Sequence, residues 1–413
     1  MSIVKPFKAI RPAEGYDIKI AELPYDVMSS DEAREIAAGN PYSFLHVDKA
    51  EIDLPAGTGL YDDIVYETAK KNFDRMVAEG AFMRDDEPCY YIYRLKTGQR
   101  SQAGIAAAVS IDDYLNSVVK KHELTRPDKE RDRIRHVDSL NANTGPIYLT
   151  CRPHAELSRI IMDWMCSHPP VYDFASSDGV AHTVWVVDGA VVGEIEALFR
   201  DIDSLYIADG HHRAMSGVRV GQMRREANPG YTGDEDFNYF MSIIFPADQL
   251  HILDYNRVVT DLNGMSVEEF IEALSNNFDV VEHNGEGSPK PKEKHSFAVY
   301  VGGSWYSLTA KPGTWDDSDP KARLDVSILQ NNVLSPLLGI DDPRTSDRID
   351  FVGGIRGLGE LERRAHADME LAFAMFPTTM DDLMDIADAG LIMPPKSTWF
   401  EPKPRSGLLI HSL

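Results

Sequence analysis

The pattern of hydrophobic and polar residues along the chain predicts a mixture of strands and helices. Strands are expected where apolar residues cluster or alternate, at 3–10, 89–95, 101–111, 146–151, 183–188, 204–209, 240–245, 369–376 and 407–411, with a two-stranded hairpin over 296–308. Helices are expected where apolar residues recur at helical spacing, from Ser29 or Ser30 to Gly39 and at 62–79, 157–165, 213–227, 267–276, 326–337 and 380–389.

These elements predict an α+β protein built on one or more mixed sheets. A stretch rich in Gly, Pro and Lys at 284–294 is the expected linker, which divides the chain into regions 1–283 and 295–413. The Gly-rich segment 351–359 has neither GxGxxG nor GK[ST] spacing, so we expect it to form a turn and not a phosphate loop.

Composition narrows the class of protein. The 413 residues carry 42 Lys and Arg against 66 Asp and Glu, a formal charge of −24, which argues against broad binding of DNA or RNA. Three scattered cysteines favour a reduced cytoplasm, and no long apolar run predicts a membrane segment. The sequence leaves both a monomer and a homo-oligomer open.

The first candidate site is the segment Ala208–Arg213, where an apolar strand is expected to meet the start of a helix. Backbone amides and the positive end of the helix dipole meet there, Gly210 permits close approach, and Arg213 offers a fork for phosphate oxygens. Asp209 would face a metal ion or a hydroxyl. The alternative is an ordinary strand-to-helix turn with a solvated histidine pair, and the pattern alone leaves both open.

The second candidate is the charged segment Lys120–Arg126, followed by Asp132 and Arg133. A carboxylate such as Glu123, next to His122 and flanked by basic residues, suits a general base. Arg126 and Arg133 would hold a phosphorylated ligand. Taken alone, the segment fits an exposed charged helix or loop better than a site.

The third candidate lies near the C-terminal end, in MPPKSTWFEPK at 393–403. Its prolines stiffen the backbone and would present Lys396, Ser397, Thr398 and Lys403 to a ligand. A strap that packs its Trp and Phe on the core is an equally good interpretation.

Taken together, the motifs resemble a family over almost the whole chain. The chain is similar to a bacterial and archaeal domain-of-unknown-function family that carries a SpoOJ-like or ParB-like label. The segments that carry the resemblance are PFKAIRP (6–12), LPYDVMS (23–29), NPYSFLHV (40–47), HELT (122–125) with a downstream DR (132–133), ADGHHR (208–213) and MPPKSTWFEPK (393–403).

The ADGHHR segment is also similar to the nucleotide-phosphate motif of the ParB/sulfiredoxin superfamily, and its DGH form looks most like that of the free-serine kinases. The resemblance implies a ParB/sulfiredoxin-like core elaborated by large insertions, with a nucleotide and Mg²⁺ as cofactors. By that resemblance Asp209 would bind the metal or the hydroxyl, and Glu123, assisted by His122, would be the base. The phosphate cradle would be Gly210, His211, His212 and Arg213.

The expected function is therefore a cytoplasmic, nucleotide-dependent kinase. It would transfer a phosphoryl group from ATP or ADP to a hydroxyl of a small molecule such as free L-serine, with Lys396 or Lys403 offsetting charge on the transferred group. The main alternative is a ParB-like regulatory or nucleic-acid-binding protein switched by a nucleotide, which the charge of −24 disfavours. A redox enzyme of the sulfiredoxin kind would need a cysteine nucleophile beside the phosphate turn, and none of the three cysteines of this chain lies there.

Overall fold

The computed structural model describes residues 1–285 and 289–413. The strands are, in chain order, β1 (Val4–Lys5), β2 (Ile10–Pro12), β3 (Phe82–Arg84), β4 (Tyr90–Thr97), β5 (Arg100–Ser110), β6 (Val119–Lys120), β7 (Ala142–Asn143), β8 (Ile147–Cys151), β9 (Tyr172–Ala175), β10 (Ala181–Val187), β11 (Leu205–Asp209), β12 (Tyr239–Pro246), β13 (Ile252–Leu253), β14 (Tyr255–Val259), β15 (Phe278–Glu282), β16 (Ser296–Val301), β17 (Ser304–Ala310), β18 (Ile349–Gly353), β19 (Leu371–Met375), β20 (Trp399–Phe400) and β21 (His411–Ser412).

The α-helices are, in chain order, α1 (Asp17–Ile20), α2 (Ser30–Ala37), α3 (Leu45–Asp48), α4 (Asp63–Ala78), α5 (Ile111–Leu115), α6 (Pro127–Leu140), α7 (Ala155–Ser167), α8 (Val191–Arg200), α9 (His211–Ala227), α10 (Val267–Leu274), α11 (Asp325–Leu329), α12 (Leu358–Ala367) and α13 (Met380–Asp388). No helix in the described part of the chain combines the length and the apolar character needed to cross a bilayer.

The chain divides into two compact units. The first unit contains residues 1–250 and 402–413, and the second contains residues 251–401. The expected linker at 284–294 lies inside the second unit, because β15 before it and β16 after it both pair with β17. Residues 286–288 of that segment are outside the described residues.

The first unit is built on a mixed sheet with the strand order β6-β11-β8-β12-β5-β4-β10-β9, and β1 pairs with β5. β6 runs parallel to β11, whereas β8 is antiparallel to β11. Parallel neighbours end at the same edge of a sheet, so the HELT segment after β6 and the DGHHR segment after β11 leave the sheet side by side.

The central strands of this sheet are buried on both faces. Every residue of β12 is buried, and β5 is buried from Gln102 to Ser110. Helices α7, α8 and α9 contribute side chains to the same hydrophobic core. Burial on both faces explains why these strands are continuous apolar runs in the sequence and do not alternate.

The second unit is built on an antiparallel sheet with the order β15-β17-β16-β19-β14-β18, and β13 pairs with β20 beside it. Successive residues of β14 point to opposite faces, as the period of a strand requires. Val259 joins a core with Phe270 of α10, whereas Val258 joins a second cluster with Leu361 of α12. Both faces of the sheet are therefore covered.

The structure confirms an α+β architecture with a large mixed sheet, and two local predictions are wrong. The single strand expected at 3–10 is two short strands, β1 and β2, with different partners. The turn expected at 351–359 is present but shorter, a 3-10 turn over Gly354–Arg356 between β18 and α12. The strand expected at 407–411 is reduced to β21, although Ile410 bridges to Ile10.

Candidate anion-binding site

A single glycine turn joins strand β11 to helix α9. Gly210 is the N-cap of α9 and has a φ of +91°, a conformation that favours glycine. Helix α9 begins at His211, two residues earlier than the sequence pattern indicates. Its first intrahelical hydrogen bond joins Ala214 N to Gly210 O at 2.9 Å, so the amides of residues 211–213 have no acceptor within the helix.

The Arg213 guanidinium lies against this turn. A Cβ atom on Gly210 would be 3.1 Å from both Cζ and Nε of Arg213, so the turn also needs glycine for space. The Arg213 side chain is 10 % exposed, donates to Asp209 Oδ2 at 2.7 Å and donates to the Pro146 carbonyl. Its buried Nε has no hydrogen-bond partner in the described structure. An unpaired guanidinium donor beside free amides is suited to an oxyanion.

Asp209 is neutralised by two cations. Its Oδ1 accepts from Lys403 Nζ at 3.2 Å, and its Oδ2 accepts from Arg213. Burial favours the neutral acid, but Lys403 and Arg213 outweigh burial and hold the pKa of Asp209 well below its usual range. Both carboxylate oxygens are thus occupied by ion pairs, which does not fit the role of a magnesium ligand.

The HELT segment contacts the first turn of α9. Glu123 Oε2 lies 3.7 Å from His211 Nδ1, and the Glu123 side chain is 57 % exposed. The His122 and His211 rings meet edge to face, with centroids 4.5 Å apart. Burial lowers the pKa of His122 to about 4 and also lowers that of His211, so both rings are neutral near pH 7. His122 Nδ1 is buried and has no hydrogen-bond partner in the described structure.

The backbone of the HELT loop fixes the tautomers of the two neighbouring histidines. His211 Nε2 accepts from His122 N at 3.5 Å, and His212 Nε2 accepts from Arg126 N at 3.0 Å. In a neutral ring the other nitrogen then carries the proton. His211 Nδ1–H therefore points toward the Glu123 carboxylate.

Two of the expected phosphate ligands have other partners. The Arg126 side chain is exposed and pairs with Asp128. Arg133 is buried in α6, pairs with Asp132 at 2.8 Å, and lies 4.1 Å from the centre of the Tyr25 ring. Arg133 is therefore committed to an internal ion pair and supports Tyr25.

The residues of the expected C-terminal strap belong to two different units. Lys403 belongs to the first unit, is 6 % exposed and binds Asp209. Lys396, Ser397 and Thr398 belong to the second unit. There the Ser397 hydroxyl donates to the Pro394 carbonyl at 2.6 Å, within the same loop. Contact of these three residues with the phosphate cradle stays a prediction.

One residue of the site was missed by the sequence analysis. Asp26, in a 3-10 turn over Tyr25–Val27, has Oδ2 3.9 Å from Arg213 Nη2. Its charge also acts on His212, opposing the effect of burial, which lowers the pKa of that ring. The signal was the polar residue in LPYDVMS, but nothing local to that turn shows that it folds back onto a helix that begins at residue 211.

The chain belongs to the protein family described as a protein of unknown function, DUF1015, whose model matches residues 4–327. The expectation of a domain-of-unknown-function family is confirmed, and the ParB-like or SpoOJ-like label stays a prediction. No curated protein matches the chain.

Several solved structures align with most of the chain. A mutant of free serine kinase in complex with AMP is 14 % identical, with a TM-score of 0.38, and the match covers 74 % of this chain and 92 % of that one. A conserved hypothetical protein from Pyrococcus furiosus is 14 % identical, with a TM-score of 0.35 and coverages of 74 % and 94 %. SbnI with a C-terminal truncation, from Staphylococcus aureus, is 10 % identical, with a TM-score of 0.38 and coverages of 73 % and 85 %. These similarities are too low to establish a common function.

Proposed function

We propose that the protein is a nucleotide-dependent phosphotransferase that acts on a hydroxyl of a small molecule such as free L-serine. The observation that carries the proposal is the Arg213 guanidinium, which has a buried, unpaired Nε, lies against Gly210 and stands at the open amides of α9. This group of donors is suited to nucleotide phosphates. A ParB/sulfiredoxin-like core, with ATP or ADP as donor and Mg²⁺ as cofactor, is part of the prediction from the sequence.

In the proposed reaction Glu123 is the general base. Its carboxylate takes the proton of the acceptor hydroxyl, the hydroxyl oxygen forms a bond to the terminal phosphorus, and the bond from that phosphorus to the nucleotide oxygen breaks. The His211 Nδ1–H group, 3.7 Å from Glu123, orients the carboxylate. Arg213 offsets charge on the phosphoryl group. Because both oxygens of Asp209 are paired, no step is assigned to a metal on that residue.

Glu123→Gln is expected to lower kcat by about 10²–10⁴-fold, since glutamine accepts no proton from the acceptor. Nucleotide affinity should stay within about twofold of the wild type, because the base acts on the acceptor and not on the donor. Steady-state kinetics and calorimetric titration with nucleotide measure the two effects. Glu156→Gln, an exposed carboxylate on α7 paired with Arg159, is the control. A fall in nucleotide affinity equal to the fall in kcat would contradict the role of base.

Arg213→Lys is expected to weaken nucleotide binding about tenfold, because lysine keeps the charge but loses the planar fork and the Nε donor. The matched control is Arg219→Lys, on the same helix, where the side chain is 55 % exposed and lies 3.6 Å from Glu130. Equal affinities of the two variants, measured by calorimetry, would place the nucleotide elsewhere.

The deciding experiment is a search for product. The purified protein is incubated with Mg²⁺, a panel of nucleotides and a mixture of amino acids and sugars, and phosphorylated products are identified by mass spectrometry. A phosphorylated hydroxyl compound that Glu123→Gln does not form supports the proposal. Nucleotide binding without any phosphorylated product would instead favour the nucleotide-switched regulatory protein. Absence of nucleotide binding would refute both.

A further inference from the structure

The second unit contains a buried arginine without a counter-charge. Arg257 lies in β14 and is 4 % exposed. Its guanidinium donates to the Tyr255 carbonyl and, at 3.1 Å, to the Lys396 carbonyl. No carboxylate of the described residues forms an ion pair with Arg257. Carbonyl groups satisfy its hydrogen bonds, but they do not neutralise its charge.

The charge cannot be lost by deprotonation near neutral pH. Burial lowers the pKa of Arg257 to about 10, which still leaves the guanidinium cationic at pH 7. An uncompensated cation in a protein interior is unfavourable, and proteins usually pair such a charge. The second unit therefore keeps a positive charge that its own described residues do not balance.

A second cation belongs to the loop whose carbonyl Arg257 contacts. Lys396, whose carbonyl accepts from Arg257, is exposed, and its Nζ is 5.6 Å from the centre of the Tyr255 ring. None of the described acidic residues pairs with it. Its φ of +56° is rare for a residue that is neither Gly, Asn nor Asp. Backbone strain of this kind is typical of segments that hold a ligand.

The acidic residue that directly precedes β14 is already engaged. Asp254 is 3 % exposed, accepts from Asn256 Nδ2 at 2.7 Å and pairs with Lys290 at 3.3 Å. Arg257 and Lys396, joined through the Lys396 carbonyl, are thus two cations that no described acid pairs with. Two positive charges match the charge of a phosphate dianion better than that of a single carboxylate.

We propose that Arg257 and Lys396 form a binding site for a phosphate group, free or carried by a small metabolite, in the second unit. Lys396 contacts the phosphate directly from the surface. Arg257 acts from below, since in a medium of low dielectric constant a buried charge acts over several ångströms. All of its residues lie in the second unit, between 254 and 399.

The test is calorimetric titration of the full-length protein with inorganic phosphate at low ionic strength, in an Arg213→Lys background that weakens the site of the first unit. Lys396→Gln in this background is expected to weaken phosphate binding about tenfold, the effect of one charge-assisted contact. Lys321→Gln is the matched control, because it removes an exposed lysine elsewhere in the same unit. It should leave the affinity within about twofold, as expected of a surface charge away from the site.

Arg257→Met provides a second test, since it removes the charge and keeps an unbranched side chain. It should reduce phosphate affinity while the circular dichroism spectrum is unchanged. A sugar phosphate that competes with inorganic phosphate at this site would identify a metabolite as the source of the group. The proposal is overturned if the Arg213→Lys protein binds no phosphate, or if it binds phosphate equally well with and without Lys396→Gln.

Discussion

Asp209→Asn is expected to lower the free energy of unfolding by about 3 kcal/mol. The substitution keeps the volume of the side chain but leaves Lys403 and Arg213, 6 % and 10 % exposed, without their shared counter-charge. Removing one member of a buried ion pair costs about 3–5 kcal/mol, and Asp209 is itself 28 % exposed, which places the effect at the lower end. Urea denaturation measures the loss.

The stability difference between the wild type and Asp209→Asn should depend on pH in a defined direction. The pKa of Asp209 is lowered by folding, so its contribution is present above about pH 4 and is lost as the pH falls below that value. The gap between wild type and Asp209→Asn should therefore narrow in acid. Asp163→Asn, an exposed residue paired with Arg159, should change stability by less than about 0.5 kcal/mol. A loss of unfolding free energy for Asp209→Asn no larger than that for Asp163→Asn would contradict the pairing.

Asp325→Asn is expected to stabilise the second unit at alkaline pH. Asp325, at the start of α11, accepts from His295 N at 2.9 Å through Oδ1, and its buried Oδ2 has no partner in the described structure. Burial, with a smaller effect of Asp382, raises the pKa of Asp325 to about 7, against the opposing effects of the His295 amide and Lys294. The folded protein therefore holds this proton up to about pH 7, whereas the unfolded chain releases it near pH 4.

The direction of the pH dependence follows from this difference between the folded and unfolded pKa of Asp325. Between about pH 4 and pH 7 the unfolded state binds fewer protons, so the wild type loses stability as the pH rises, by up to about 4 kcal/mol in total. The asparagine variant lacks this loss. Its advantage over the wild type should grow from pH 4 to pH 7 and then level off, as scanning calorimetry would show. Asp279→Asn, exposed on β15, controls for removal of a negative charge. A constant difference across this range would show that Asp325 is already ionised in the folded protein.

Local signals predicted most of the first unit correctly. The helix from Ser30 has the expected N-cap, with a capping box between Ser29 and Glu32, and α4 and the β4–β5 pair match the pattern to within two residues. The errors include short strands such as β2 and β21, which have two or three residues and therefore too few positions to show a period. They also include helix α8, which the sequence analysis did not predict. The boundary expected at 284–294 was wrong because that segment connects β15 and β16, two strands of the same sheet. The return of the chain to the first unit at residue 402 was missed as well.

In the candidate site, too, the local features were predicted and the long-range contacts were not. The strand–turn–helix at Gly210 was visible in the sequence because glycine and the apolar run before it are local features. The proximity of Glu123 to His211 depends on the parallel pairing of β6 with β11, across 86 residues of chain, which no local pattern encodes. The Lys403–Asp209 pair and the approach of Asp26 to Arg213 are likewise long-range contacts.

The return of the chain to the first unit has a consequence for how the protein is made. During synthesis residues 1–250 leave the ribosome before the 151 residues of the second unit, and residues 402–413 follow only after these. Leu408 and Ile410, both fully buried, and Lys403 are therefore missing while the rest of the first unit is already exposed to the cell. Until they arrive, Asp209 and Arg213 lack the second cation of their cluster. A nascent chain should accordingly acquire its anion-binding site last, and chaperones that hold the open first unit would act before that step.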